Sequence, residues 1–443
     1  MIKFPKFQLR KSIPIIGIDK QGIGRVPVQV ARELVKTKHA ELIRNHPSVI
    51  GLRHIGNKAV SPGRVVSTSP LKNLIHTASL FASKNSRSAI LNSVLFRIEG
   101  HTLRITSTDM ETYFTGCLKP DTNYSFTHDT DISGICINAR YLGKILSSQN
   151  NNLSLHIVKG KDYPAMRIGE FFLEGEDASR FPDIQFHKKE GKVYKGTLTD
   201  IATKLKFVGQ AISKNMYRSA LCGIYFDLKN RQLVGADGNR LHTVSMSDTN
   251  GRVGQNKDDI CVILPTKLLQ ASKLIAGNIT VVDNGEQQYA MFDLNVPGCV
   301  SCTGVYNAIE GQYPNYRDVI PKEGFISKFM VRTKDLILAL HKARIAIGNS
   351  YDKTLACEFK NGMLIVSIQR MGRLIYQGVV RGEHHGPSYC GQINVDYLSD
   401  AVLTMPGDLI EIMLQGKKDE AWTIRNQSGF TAIVMPIGLE NGK

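Results

Sequence analysis

Leu221-Cys222-Gly223-Ile224-Tyr225-Phe226, followed by Gly235-Ala236-Asp237-Gly238-Asn239-Arg240-Leu241, is the stretch on which the fold turns. Apolar and polar residues alternate in each half, as in half-buried strands. Leu228 to Gln232 reads as the turn between them. Asp237-Gly238 reads as a tight corner, expected to leave Arg240 and Leu241 side by side on the surface.

The same pattern stands on either side. A helix predicted over about Pro70–Ser83, with Leu71, Leu74, Ile75, Ala78 and Phe81 at helical spacing, precedes Asn85 to Ile98, a Glu99-Gly100 turn and Leu103 to Asp109. A helix over about Thr197–Ser213 precedes Lys214 to Phe226 and Leu233 to Asp237. A third, over about Thr333–Ile347, precedes Asn349 to Phe359, Asn361-Gly362 and Leu364 to Ile368. Asp109 to Asp237 is a step of 128 residues.

Each copy continues alike. Gly134–Asn138 leads to a helix over Ala139–Ser148, then strands, then Arg180-Phe-Pro-Asp-Ile184. Ile260–Pro265 leads to a helix over Thr266–Ile275, then strands and Gln312-Tyr-Pro-Asn-Tyr316. Gly391–Val395 leads to a helix over Asp396–Leu403, then strands and Ile433-Val-Met-Pro436. A period this long is a domain reused, not a short solenoid unit. The expected class is α+β: three tandem domains, each of two strand–helix–strands units. They span 66–190, 191–325 and 326–443, behind a basic extension over 1–65.

The charge supports a polyanionic partner. The 443 residues carry 56 Lys/Arg and 39 Asp/Glu, a net of +17. Residues 1–65 hold 13 and 3 of these, a net of +10, leaving 43 and 36, a net of +7. Such an excess favours nucleic acid; a basic protein without such a partner is the plainer alternative. Gln29 to Arg44, within the extension, reads as an amphipathic helix, and Ser61-Pro-Gly63 and Ser67 to Pro70 read as a linker. No apolar run approaches the roughly 20 residues of a membrane span. The basic, acid-poor N-terminus lacks a secretory pattern, although it is compatible with an organelle transit peptide. The eight cysteines are scattered, with Cys299-Val-Ser-Cys302 the one CxxC pair. They read as thiols of a reducing, cytoplasmic compartment rather than as a metal site.

Three domains in line leave end strands without partners, a liability that a second copy removes by closing a ring. Helices then line the hole, with sheets outside. Lys72, Lys144, Lys204, Lys206, Lys267, Lys273, Lys342 and Arg344 lie on the helices and would meet phosphates without reading sequence. Each also reads as an ordinary solvated helix residue. The sixth helix has two aspartates and no cation.

From about Pro70 to Leu439 the chain resembles the bacterial DNA polymerase III beta subunit family, the sliding clamps. The resemblance rests on Gly235–Leu241, on Gln312-Tyr-Pro-Asn-Tyr-Arg-Asp-Val-Ile-Pro321 and on the closing Ala432-Ile-Val-Met-Pro-Ile-Gly-Leu439. It implies the DNA clamp fold as a head-to-tail homodimeric ring around duplex DNA. It also implies as partners the replicative DNA polymerase, an ATP-dependent clamp loader and other proteins with clamp-binding motifs. The family's peptide groove, carried over, uses Leu221, Ala236, Gly238, Asn239, Arg240, Leu241, Pro265, Asn394, Tyr397, Ile433, Met435, Pro436 and Leu439. Arg240 and Asn394 would hold the peptide's backbone or polar ends. Leu241, Ile433 and Met435 also read as core strand residues. DNA-contacting loops map near Lys84-Asn85-Ser86-Arg87 and Tyr217-Arg218. Ala236 stands where the family often has Thr and Asn239 where it often has His; Gly438 replaces a basic residue, and Glu440 to Lys443 run past Leu439.

No nucleotide-binding phosphate loop and no nucleophile elbow occur. Asp129/Asp131 and Glu174/Glu176 read as solvated turn acids. The reading is a processivity factor with no catalytic site, metal or cofactor, opened by another machine. Two alternatives remain: a clamp-fold interaction protein that does not encircle DNA, and a DNA-modifying enzyme with an unrecognised site.

Overall fold

The structure, a computed structural model, describes residues 2–3, 23–24, 69–120, 124–129, 132–148, 153–160, 163–183, 191–246, 260–417 and 419–438. The helix expected over Gln29–Arg44, the linker up to Thr68, Asp131 and Leu439 lie outside them. Contacts divide the chain into Met1–Val66 and Ser67–Lys443. In the first unit, β1 (Ile2–Lys3) pairs antiparallel with β2 (Ile23–Gly24).

The second unit is α+β and uses one pattern three times. It begins with α1 (Pro70–Phe81), β3 (Ser93–Glu99), β4 (Thr102–Thr108), β5 (Thr112–Leu118), β6 (Tyr124–His128), β7 (Ile135–Asn138), α2 (Ala139–Ser148), β8 (Leu153–Val158), β9 (Ala165–Ile168), β10 (Phe171–Glu174) and β11 (Glu176–Asp177). Next come β12 (Lys192–Thr197), α3 (Ile201–Gly209), β13 (Gly223–Asp227), β14 (Gln232–Ala236), β15 (Arg240–Ser245), β16 (Cys261–Pro265), α4 (Leu268–Ala271), β17 (Ile275–Asp283), β18 (Gln288–Leu294) and β19 (Ser301–Asn307). Last are β20 (Phe325–Arg332), α5 (Thr333–Ile347), β21 (Thr354–Lys360), β22 (Met363–Arg370), β23 (Arg373–His385), β24 (Tyr389–Asn394), α6 (Val395–Thr404), β25 (Leu409–Gln415), β26 (Trp422–Arg425) and β27 (Phe430–Val434).

Local chemistry explains where these elements start and stop. α1 opens on Pro70, whose missing donor costs nothing there, and buries Leu71, Leu74, Ile75, Ala78 and Phe81. α5 ends where Gly348 takes φ +58°. The first helix of the second repeat, α3, starts four residues later than its sequence suggests. Thr197 closes β12 opposite Asn278, Leu198 N donates to Gly277 O at 2.7 Å, and Asp200 turns the chain at φ +50°. At its far end, Ala211 N bonds Val208 O and Ser213 N bonds Leu221 O, so the chain leaves the helix early. The helix expected over Thr266–Ile275 is a single α turn and a 3-10 turn, because Ile275 already pairs with Leu294 in the sheet. In the first two repeats the strand that follows the first helix, β3 or β13, is preceded by a 3-10 turn, Ala89–Asn92 or Met216–Cys222.

Two long sheets cross the repeat boundaries. The order β11-β7-β3-β4-β5-β19-β18-β17-β12 joins the first repeat to the second through β5 and β19. The order β16-β13-β14-β15-β27-β26-β25-β20-β23-β22-β21-β24 joins the second to the third through β15 and β27. In both joins, the third strand after a repeat's first helix pairs with the third strand after the next repeat's second helix. The helices pack as α1 with α2, α3 with α4 and α5 with α6; contacts of α1 with α4 and of α3 with α6 link successive pairs. One apolar core runs between the helices and both sheets. A short sheet, β10-β9-β8-β6, completes the first repeat.

Candidate partner groove and nucleic-acid interface

The candidate groove residues begin at the corner between β14 and β15. Asp237 Oδ1 accepts from the backbone N–H of Asn239 at 2.9 Å and of Arg240 at 3.1 Å, and Gly238 takes φ +97°, which a side chain would strain. Ala236 then faces Leu241 across the hairpin, and Leu241 faces Ile433 across the join. Leu221, Ala236, Leu241 and Ile433 gather in one apolar cluster with Val234, Ile263, Tyr313, Tyr316 and Ala421.

Burial corrects the expected surface position of Leu241. Its side chain is 4% exposed, because it packs into that cluster. Pro265 is also buried, opposite Gly223 in the sheet. The open surface consists of Gly238, Asn239 and Met435, with Asn394, Tyr397 and Pro436 half-buried. Met435 is 44% exposed, yet its N–H donates to Asn239 O at 2.9 Å. The chain leaves β27 at Val434, before Pro436. It then bridges Pro436 to Ile393, and Ile437 N donates to Gln392 O at 2.8 Å. The closing segment therefore ties the Asp237 corner to β24.

Two polar residues expected to hold a peptide already hold the fold. Arg240 Nε lies 3.0 Å from Asp237 Oδ2, its Nη1 lies 2.8 Å from Asp400 Oδ2, and its guanidinium sits 4.4 Å over the Tyr397 ring. Asn394 caps α6: its side-chain oxygen accepts from the N–H of Asp396 and Tyr397.

The segment after Gln312 stands out in the sequence as a motif, and the fold makes it a wall of the site as well. Tyr313 stacks on Tyr225 at 4.4 Å between ring centroids, and Tyr316 and Ile320 pack into the same cluster. Tyr316 Oη donates to buried Asp227 at 2.8 Å; burial, the main cause, pushes its pKa up to about 12. Val319, on the same 3-10 turn, is 55% exposed beside this apolar wall. Two tyrosines three residues apart, flanking a turn, are the signal that sequence reasoning passed over.

The expected DNA-facing residues divide into two groups. Lys84, Asn85, Arg87, Lys144, Lys206, Tyr217, Arg218, Lys273, Lys342 and Arg344 are exposed, and Lys72 is half-buried. Lys204 is 5% exposed, and burial lowers its pKa, so it does not present a solvated charge. Lys267 bonds Phe81 O at 2.8 Å and pairs with Asp109; burial, outweighing Asp109, lowers its pKa. It caps the end of α1 and ties the first two repeats together. Arg344 pairs with Asp396 of α6 at 3.1 Å. Arg218 covers the groove corner: a Cβ on Gly238 would stand 2.6 Å from its Nη1.

No helix among the described residues is long and apolar enough to cross a membrane. Among them, no group of three or more His, Cys, Asp or Glu is placed to hold a metal ion.

No family model matches the chain. Among curated proteins, it is 22% identical over 361 residues to the beta sliding clamp of Proteus mirabilis, covering 79% of this chain and 92% of that protein. It is 25% identical over 313 residues to the beta sliding clamp of Helicobacter pylori, covering 68% and 77%. Among solved structures, the DNA polymerase III beta subunit of Thermotoga maritima superposes with TM-score 0.69 at 20% identity, covering 84% of this chain and 98% of that one. A Bartonella birtlesii sliding clamp bound to griselimycin gives 0.70 at 19%, covering 84% and 98%.

Proposed function

Because the chain belongs to the beta sliding clamp family, we propose that it closes as a homodimer around duplex DNA and tethers a replicative polymerase. The observation that carries this reading is the pairing rule at the two joins. β5 pairs with β19, and β15 with β27. By the same rule, the first part of β23 should pair with β10, and within one chain it does not. β10 is the end of its sheet; Arg373 to Val379 of β23 pairs only with β22 along that stretch. Both edges carry exposed apolar side chains, Phe171 and Phe172 on one and Leu374, Ile375 and Val379 on the other. A head-to-tail second copy would satisfy both edges twice over and close the ring.

DNA would be held through the exposed helix cations, without base readout. The polymerase, the loader and other proteins with clamp-binding motifs would dock a short apolar segment against Met435 and the Tyr313–Ile320 wall. The chain would act without a catalytic site of its own. Loader-dependent retention on circular but not linear DNA tests this function.

A second reading, a clamp-fold interaction protein that does not encircle DNA, is favoured by one observation. Lys204, Lys267 and Arg344 are buried or paired within the fold, which thins the cationic lining. The same retention experiment separates the two.

A further inference from the structure

We propose that the loop leaving α5, Asn349 to Lys353, and the neighbouring turn of the β22–β23 hairpin bind a single strand of DNA. The loop leaving the first helix carries one short motif in every repeat: Asn85-Ser86-Arg87, Asn215-Met216-Tyr217 and Asn349-Ser350-Tyr351. The third residue of each motif is exposed, and the rings of Tyr217 and Tyr351 stand fully in solvent. Neither ring contributes to the core. The clamp resemblance maps DNA contacts to the first two loops, and the proposal rests on that reading; the third loop falls outside it.

The hairpin turn beside this loop reverses the charge of its counterparts. In the first two repeats an aspartate opens the turn between the second and third strands: Asp109 N bonds Thr112 O, and Asp237 N bonds Arg240 O. At the same turn of the third repeat Arg370 stands directly opposite Arg373, across Met371-Gly372. Like charges so placed destabilise a hairpin, and an anion between them offsets that cost. Arg370 also lines an open cleft of about 570 Å³ with Gly348, Asn349 and Ser350. Its Nη2 donates to Ile347 O at 2.9 Å, which leaves most of the guanidinium fork for a phosphate. Two carboxylates stand nearby, and both are engaged. Asp396 lies against Arg344 and Lys353, and Asp352 accepts from the N–H of Thr354 at 2.9 Å. Cations that track phosphates beside an open aromatic ring suit a single strand, because a base can stack on the ring only when it is unpaired. Arg370 supplies the cation and Tyr351 the ring, and neither reads sequence.

The test is fluorescence anisotropy of the full chain, without a loader, on labelled oligo(dT) and on a blunt duplex of the same length, over a range of salt. Tyr351→Ala should weaken oligo(dT) binding about fivefold or more and leave duplex binding unchanged. Arg370→Gln should flatten the oligo(dT) salt dependence by about 0.7 in log–log slope. Because Arg370 also holds the end of α5, it is read beside thermal melting; Tyr351 is fully exposed, so its variant keeps the fold. Tyr217→Ala is the comparison at the second loop. Loss of binding in Tyr217→Ala, with Tyr351→Ala and Arg370→Gln unchanged, overturns the proposal. So does an equal loss on duplex and oligo(dT) in Tyr351→Ala, or no binding of oligo(dT) by the unaltered chain. Retention on circular duplex does not depend on Tyr351, so the two readings fail separately.

Discussion

Arg240 Nη1 donates to Asp400 Oδ2 at 2.8 Å, and this bond joins the second repeat to α6 of the third. Its counterpart at the other join is Lys267 on Asp109. Asp109 and Asp237 occupy equivalent corners. Each gives Oδ1 to backbone N–H groups of its own turn and Oδ2 to a largely buried cation. The two corners thus set the strand ends and pin the joins.

Replacing Arg240 by Ala should cost roughly 1.5–3 kcal/mol of stability, the usual range for hydrogen bonds to charged groups. A double-mutant cycle with Asp400→Asn should show strong coupling. Additive effects in denaturant unfolding would remove the bond's role as a clasp.

Met435 is the clean probe of the groove. Met435→Ala should weaken a polymerase-derived clamp-binding peptide by roughly 1–3 kcal/mol if it is an anchor contact, with the fold intact. Leu241→Ala should instead destabilise the chain by roughly 2–5 kcal/mol, as buried Leu truncations do. Calorimetric titration beside thermal melting separates them; an unchanged Met435→Ala affinity moves the anchor elsewhere.

Much of this is legible in the sequence. Helices over Ala139–Ser148 and Thr333–Ile347 follow their apolar spacing to the residue. The corner at Asp237 is visible as a motif, and the set Leu221, Ala236, Leu241 and Ile433 follows from the family resemblance. Which members of that set are covered is not visible, because β27 arrives from a strand almost two hundred residues away. Lysines on a helix read alike in one dimension. Only packing shows that Lys204 is buried and Lys267 is spent on Phe81 and Asp109.

That division gives a prediction for DNA. Neutralising Lys144, Lys206, Lys273 and Lys342 should flatten the salt dependence of direct DNA binding, by about 0.9 in log–log slope for each phosphate left without its cation. Lys204→Met should leave the slope alone. A change of slope in Lys204→Met, with the others silent, would reverse the assignment.

Residues 1–65 carry a net of +10. Deleting them should flatten the same slope while the proposed dimer persists in sedimentation. A deletion that dissociates the dimer makes the segment structural.

His242 should make the fold acid-sensitive. Its Nδ1 donates to Phe207 O at 2.8 Å, Nε2 has no partner among the described residues, and the ring stacks on Phe207. Burial, the main cause, lowers its pKa from 6.5 to about 4. The unfolded chain therefore takes up the proton first. This contribution is complete above about pH 6.5 and is lost as pH falls toward 4, at up to roughly 1.4 kcal/mol per pH unit. In urea unfolding between pH 7.5 and 4.5, His242→Gln should show a shallower slope. Parallel slopes would exclude the residue.

Encirclement of DNA would make retention topological, and linearising the DNA tests it. The chain is loaded by a clamp loader and ATP onto nicked circular duplex DNA, separated from free protein by gel filtration, and half the sample is then cut once. The expected result is retention on the circle and release after linearisation, with no sequence preference. Equal retention on both, or none on either despite active loading of a known clamp, contradicts it.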